Sequence, residues 1–139
     1  MTTSPTPAAT PRREIRNISI GDLSAYRLPP PGVVSILHRV SGVLMFLLLP
    51  FVLWLLDLSL TSEDSFERLR AAAQTPLVRI VASVLAWGFL HHLAAGVRFL
   101  LLDLHVGVDK PAARRSAVIV LATGIVLGIA AALWIFGVL

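Results

Sequence analysis

The sequence predicts an all-α membrane protein with three transmembrane helices, and three observations carry that prediction. The chain of 139 residues is 56% hydrophobic and only 14% charged, with a mean hydropathy of +0.82, far too apolar for a soluble domain of this size. Three stretches, at about 33–60, 76–104 and 117–139, reach the roughly 20 apolar residues that a bilayer crossing needs, and the last is uncharged throughout. None of the three shows the polar face that a soluble helical bundle requires.

Each element follows from local sequence. Residues 1–26 are rich in Thr, Pro, Ala and Arg and contain no apolar h-region, so they read as a mobile cytoplasmic tail and not as a secretory signal. The shortness of this tail and Glu14 argue against a mitochondrial presequence. The transmembrane domain then occupies 27–139. Pro29, Pro30, Pro31 and Gly32 are expected to forbid regular helix and to set a rigid approach to the first span. The segment 61–70 predicts a short surface helix, with Ser62 as N-cap and acidic residues in the first turn. Thr75-Pro76 opens the second span, with proline near the first helical position. The third span carries Gly124-x-x-x-Gly128-x-x-x-Ala132, a stripe of small residues that admits another helix closely. That helix belongs either to this chain or to a partner, and the sequence leaves both open.

Charge sets the orientation. Arg12, Arg13, Arg16, Arg27 and Arg39 lie before or at the first span, and Arg98, Lys110, Arg114 and Arg115 mark the second loop. The first loop offers Arg68, Arg70 and Arg79 beside Asp57, Glu63, Asp64 and Glu67. The positive-inside rule therefore places the N-terminus and second loop in the cytoplasm and the C-terminus in the periplasm, for a multi-pass protein of a bacterial inner membrane. The pI of about 11.1 reflects this anchoring to lipid and not a nucleic-acid surface. With no cysteine, the chain cannot hold an iron–sulfur cluster by thiolates, attach a c-type haem covalently or form a disulfide. Any metal falls to His38, His91, His92 or His105. No Gly-rich flavin motif is present, so the chain by itself carries no dehydrogenase chemistry.

Two polar constellations interrupt the apolar spans. In Ser35-Ile-Leu-His38-Arg39-Val-Ser41-Gly42, Ser35, His38 and Arg39 stand at i, i+3 and i+4, which predicts one shared face with Gly42 a turn further in. Three donors at one helix entrance suit a ligand. The plainer alternative has Arg39 snorkelling to lipid phosphates, His38 at the interface and Ser35 as an N-cap. The second constellation is His91-His92-Leu-Ala-Ala-Gly96-Val-Arg98-Phe99-Leu-Leu-Leu-Asp103, with both histidines deep in the apolar run. Adjacent residues are about 100° apart on a helix, so the two cannot serve the same face of one metal. His92, Gly96, Phe99 and Asp103 form one stripe, and His91, Arg98 and His105 another. A histidine one turn from a small residue suits a porphyrin, whose ring must lie against the helix, and Gly96 supplies the gap. A histidine hydrogen-bonded to a neighbouring span is the plainer alternative.

Ser35-x-x-His38-Arg39-x-Ser41-Gly42 and His92-x-x-x-Gly96-Val97-Arg98-Phe99-x-x-x-Asp103 resemble the two signature motifs of the cytochrome b subunit of succinate dehydrogenase, a membrane anchor of respiratory complex II. The likeness covers the three-span layout and the Arg27-x-Pro29 approach. It implies half of a six-helix, two-subunit anchor that binds one b-type haem between the subunits and passes electrons from an iron–sulfur subunit to ubiquinone or menaquinone. A flavoprotein subunit would complete the succinate:quinone oxidoreductase. By position, the resemblance implies His92 as the haem-iron ligand, Ser35 and Arg39 as quinone-site residues, and His38 between quinone and propionates. Arg98 is implied as a propionate partner, with Arg39, His91 and Gly96 in the pocket. Phe99 departs from the family pattern, where many relatives have histidine, and His91 or His105 could substitute.

Geometry agrees with that picture. His92 stands roughly 9 Å of helix rise from Arg98, at the level of Arg39 on the first span, so haem and quinone sites would be neighbours. Only one axial ligand is well placed, so the second is expected from another subunit. An intramolecular His38–His92 pair is the competing arrangement. A fumarate reductase anchor and a cofactor-free structural subunit remain the other readings.

Overall fold

The structure is a computed structural model and describes residues 28–138. The expected tail at 1–26 lies outside the described residues, as does Arg27. Four helices follow in order: α1 (Pro30–Thr61), α2 (Glu63–Ala73), α3 (Pro76–Asp103) and α4 (Lys110–Ile135). Among the described residues there is no strand. The three long helices, α1, α3 and α4, are each long and apolar enough to cross a membrane, so the chain is a three-span membrane protein. At 1.5 Å per residue, the 32 residues of α1 extend about 48 Å, beyond the roughly 30 Å hydrocarbon core.

Helix boundaries show where proline is harmless. Pro30, Pro31 and Gly32 were expected to exclude helix, yet α1 starts at Pro30, with extended Pro29 as its N-cap. First-turn N–H groups have no intrahelical acceptor, so a proline there removes no bond and its fixed φ already suits the helix. The same rule places Pro76 and Pro111 in the first turns of α3 and α4. α4 also starts earlier than the expected residue 117, because the Asp109 side chain accepts from the Ala112 N–H at 3.1 Å and caps a turn that carries Lys110, Arg114 and Arg115. Its helix ends at Ile135, before Gly137 with φ +74°.

Ser62 caps α2 as its position predicts. Its hydroxyl accepts from the Ser65 N–H at 3.1 Å, the Ser65 hydroxyl accepts from the Ser62 N–H at 3.1 Å, and Glu63 and Asp64 occupy the first turn. α2 is a surface helix whose Leu69, Ala72 and Ala73 close an apolar cavity of about 530 Å³ with Phe51, Leu77 and Val81.

α3 and α4 form the tight pair of the bundle. His91, Ala95 and Arg98 on α3 face Ala117, Val120, Gly124 and Gly128 on α4, and all seven are buried. The Gly124/Gly128 stripe is thus used within the chain: an added Cβ at Gly124 would lie 3.0 Å from His91 Nδ1, and one at Gly128 would overlap the Trp87 indole. α1 buries only Val34 and Ser41. Most large apolar side chains, including Phe46, Leu47, Ile119 and Trp134, are exposed to the surroundings.

Gly128→Ala should therefore destabilise the detergent-solubilised protein by about 1–3 kcal/mol through overpacking against Trp87. Gly88→Ala, with nothing within 4 Å of the new Cβ, should be neutral or stabilising by up to about 1 kcal/mol. Thermal unfolding of the two variants side by side measures the difference.

Candidate functional site

α1 and α3 meet over two imidazoles. The His38 and His92 rings stack with centroids 4.0 Å apart and planes 14° from parallel. Each ring is seated on a glycine of the opposite helix. A Cβ at Gly42 would lie 3.0 Å from His92 Cε1, and one at Gly96 would lie 3.6 Å from His38 Nε2. The gap beside Gly96, expected to receive a flat macrocycle, receives the His38 imidazole.

The hydrogen bonds at His92 fix which nitrogen is free. Nδ1 lies 3.0 Å from the His38 carbonyl oxygen and 3.1 Å from Ser41 Oγ. The Ser41 hydroxyl donates to the same carbonyl at 3.0 Å. A carbonyl oxygen only accepts, so Nδ1 carries the hydrogen and donates, and the neutral ring keeps its lone pair on Nε2. Nε2 has no hydrogen-bond partner among the described residues. A metal-ligating histidine has this same arrangement, with the second nitrogen donating to a backbone carbonyl.

His91 turns to the other interface. It is 2% exposed, its Nδ1 faces Gly124, and its ring lies 6.0 Å from Trp87 at a tilt of 34°. Its buried Nε2 is without a hydrogen-bond partner among the described residues. The two adjacent histidines are thus divided between α1 and α4, as the 100° step requires.

Arg98, expected to meet a propionate, is 5% exposed and spends its donors on α4. Nε donates to Ser116 Oγ at 3.0 Å, Nη2 donates to the Ala113 carbonyl at 3.1 Å, and the guanidinium stands 5.4 Å from the Phe99 ring. Phe99 in turn packs against His38, with centroids 5.0 Å apart and a 60° tilt. The residue that departs from the family pattern therefore supports the His38 ring edge-on.

The first constellation does not keep one common face. His38 points at α3, while Arg39, about 100° further round the helix, is exposed beside Val40, Val43, Leu44 and Leu47, which line a shallow groove of about 360 Å³. Ser35 is half-buried and makes no hydrogen bond among the described residues. His105 also leaves its expected stripe: α3 ends at Asp103, and His105 is exposed with φ +61°. Two residues gained no role from sequence. Ser41 stood in the motif without a function, although its i+3 spacing from His38 signals a shared face, and Trp87 stands one turn before His91. A further apolar groove of about 340 Å³ runs between α1 and α3 from Ser41, past Leu44 and Leu48, to Leu85, Gly88 and Phe89.

Fold and site define a three-span helical membrane subunit with a histidine-lined contact between its first two spans. The chain belongs to the family of succinate dehydrogenase/fumarate reductase transmembrane subunits, whose profile matches residues 12–131. It is similar to a succinate dehydrogenase cytochrome b556 subunit of Coxiella burnetii, 31% identical over 116 residues that cover 83% of this chain and 93% of the relative. It is also similar to the subunit of that name from Paracoccus denitrificans, 28% identical over 107 residues that cover 77% and 82% of the two chains.

The Arg98 contacts predict a structural result. Ser116→Ala should cost about 1 kcal/mol of stability, and Arg98→Ala more, since two buried acceptors lose their charged donor at once. Melting temperatures of the solubilised protein report both.

Proposed function

We propose that this chain is the haem- and quinone-binding membrane anchor of a succinate dehydrogenase, placed between an iron–sulfur subunit and the quinone pool. The observation that carries this reading is the free Nε2 of His92, held in its tautomer by the His38 carbonyl and set inside an apolar interface. That donor suits the iron of a b-type haem, and the haem supplies a one-electron carrier when bound. The names of the relatives, each a succinate dehydrogenase cytochrome b556 subunit, support the same assignment and favour succinate oxidation over fumarate reduction.

A second anchor subunit would supply the other ligand to the haem. The His38 and His92 rings stack face to face with centroids 4.0 Å apart, which leaves no space for an iron between them and disfavours the intramolecular pair. With two Arg98 donors on Ser116 and Ala113, His38 and Arg39 would hold the carboxylates of the haem, and His91 and Gly96 would support the pocket through packing.

Quinone is the substrate of the exposed side. Arg39 carries a guanidinium at the membrane boundary, able to donate to a quinone oxygen and to stabilise the charge that develops there. Ser35, a turn earlier, offers a hydroxyl to the same oxygen. Arg39, Arg98, Lys110, Arg114 and Arg115 all lie at the end of the bundle shared by the start of α1, the end of α3 and the start of α4. The positive-inside rule makes that end cytoplasmic, in a bacterial inner membrane. With neither cysteine nor a flavin motif, the chain receives electrons from an iron–sulfur partner and a flavoprotein that oxidises succinate.

His92→Ala in the complete complex should abolish or strongly alter the reduced-minus-oxidised haem spectrum, and an unchanged spectrum rules the residue out as ligand. Arg39→Ala and Ser35→Ala should slow succinate-driven quinone reduction at least tenfold and about threefold, respectively, while succinate oxidation by a soluble dye stays intact. Unchanged quinone kinetics would remove both from the site.

A further inference from the structure

We infer that Ser41 is a positioning residue for His92: its hydroxyl, together with the His38 carbonyl, accepts from His92 Nδ1 and sets how electron-rich the ligating imidazole is. This inference rests on the reading of His92 as the haem ligand. Ser41 is 7% exposed, at the point where α1 passes from His38 and Arg39 into its apolar run, where a buried hydroxyl needs partners. Helical serines commonly satisfy themselves by donating back to a carbonyl one turn earlier. Ser59 does so to Leu56 and Ser83 to Arg79, at 2.7 and 2.8 Å, and neither touches another polar group among the described residues. Ser41 makes the same back-bond to His38, at 3.0 Å, but its oxygen also stands 3.1 Å from His92 Nδ1.

That extra contact is built by the neighbouring positions. Gly42 leaves the room that a side chain would fill, since an added Cβ would stand 3.0 Å from His92 Cε1 and 3.6 Å from Nδ1. The serine hydroxyl is spent as a donor on the His38 carbonyl, so its lone pairs face the incoming Nδ1–H. One N–H is therefore shared between two acceptors, both supplied by α1, and each raises the basicity of the ring. A more basic axial imidazole favours ferric over ferrous iron, so α1 lowers the potential of a haem whose ligand stands on α3.

The test uses the complete complex in mild detergent. Ser41→Ala should keep the haem and its low-spin spectrum, raise the haem midpoint potential and shift the electron paramagnetic resonance g-values. Ser41→Cys, close in volume and a weaker acceptor, should fall between wild type and Ser41→Ala. Potentials and g-values equal to wild type in Ser41→Ala overturn the assignment. Where Ser41→Ala does not assemble, Ser41→Cys decides by the same criterion, and failure of that variant to assemble overturns it in favour of a packing role. The parent reading fails separately: haem retained with an unchanged spectrum in His92→Ala removes the ligand, whereas loss of haem there with a wild-type potential in Ser41→Ala removes only the role of Ser41.

Discussion

Between lipid-immersed helices apolar burial gives little net gain, because lipid tails are as apolar as leucine, so association rests on close packing and on polar contacts. In this chain glycines organise both. Gly42 receives the His92 ring, Gly96 the His38 ring, Gly124 the His91 ring and Gly128 the Trp87 indole. Each inward ring lies where the opposite helix has no Cβ. The polar contacts of the bundle follow from that proximity: His92 reaches the His38 carbonyl and Ser41 only because Gly42 leaves the space, and His91 lies at the α3–α4 seam only because Gly124 does.

The two seams are not equivalent. α3 and α4 share a buried row of Ala95, Ala117 and Val120 and a guanidinium bonded across the gap, which gives a rigid pair. α1 adds Val34 and Ser41 to the buried set and leaves most of its length open. His92, the proposed haem ligand, stands at this looser seam. A ligand site needs one wall that can be shared or moved, and regions with few buried contacts supply it.

Sequence reasoning reached what local chemistry controls. Three spans follow from composition, the Ser62 cap from residue type and spacing, and the separation of His91 from His92 from the helical step alone. It failed where the answer depends on which helix lies opposite. The Gly124/Gly128 stripe allowed a partner helix or a helix of this chain, and only the fold shows α3 against it. Gly96 was legible as a gap, but its occupant, His38, comes from another span. Arg98, which the resemblance set beside a propionate, also bonds Ser116 and Ala113 of a helix whose position the sequence does not reveal. The prolines before α1 misled for a different reason, since proline breaks helices in the interior and fits them in the first turn.

The step from His38 to Arg39 has the largest consequence for function. One residue of helix turns the chain by about 100°, which sends the imidazole into the α1–α3 seam and the guanidinium outward to a groove lined by Val40, Val43 and Leu47. A cofactor ligated in the seam and a substrate held on the exposed side would therefore share a single turn of α1, with Arg39 at the boundary between them. The backbone of that turn serves the seam through the His38 carbonyl, and its charged side chain serves the surface. Such an arrangement keeps the two groups close while letting the substrate exchange with the membrane, because only the exposed side has to open.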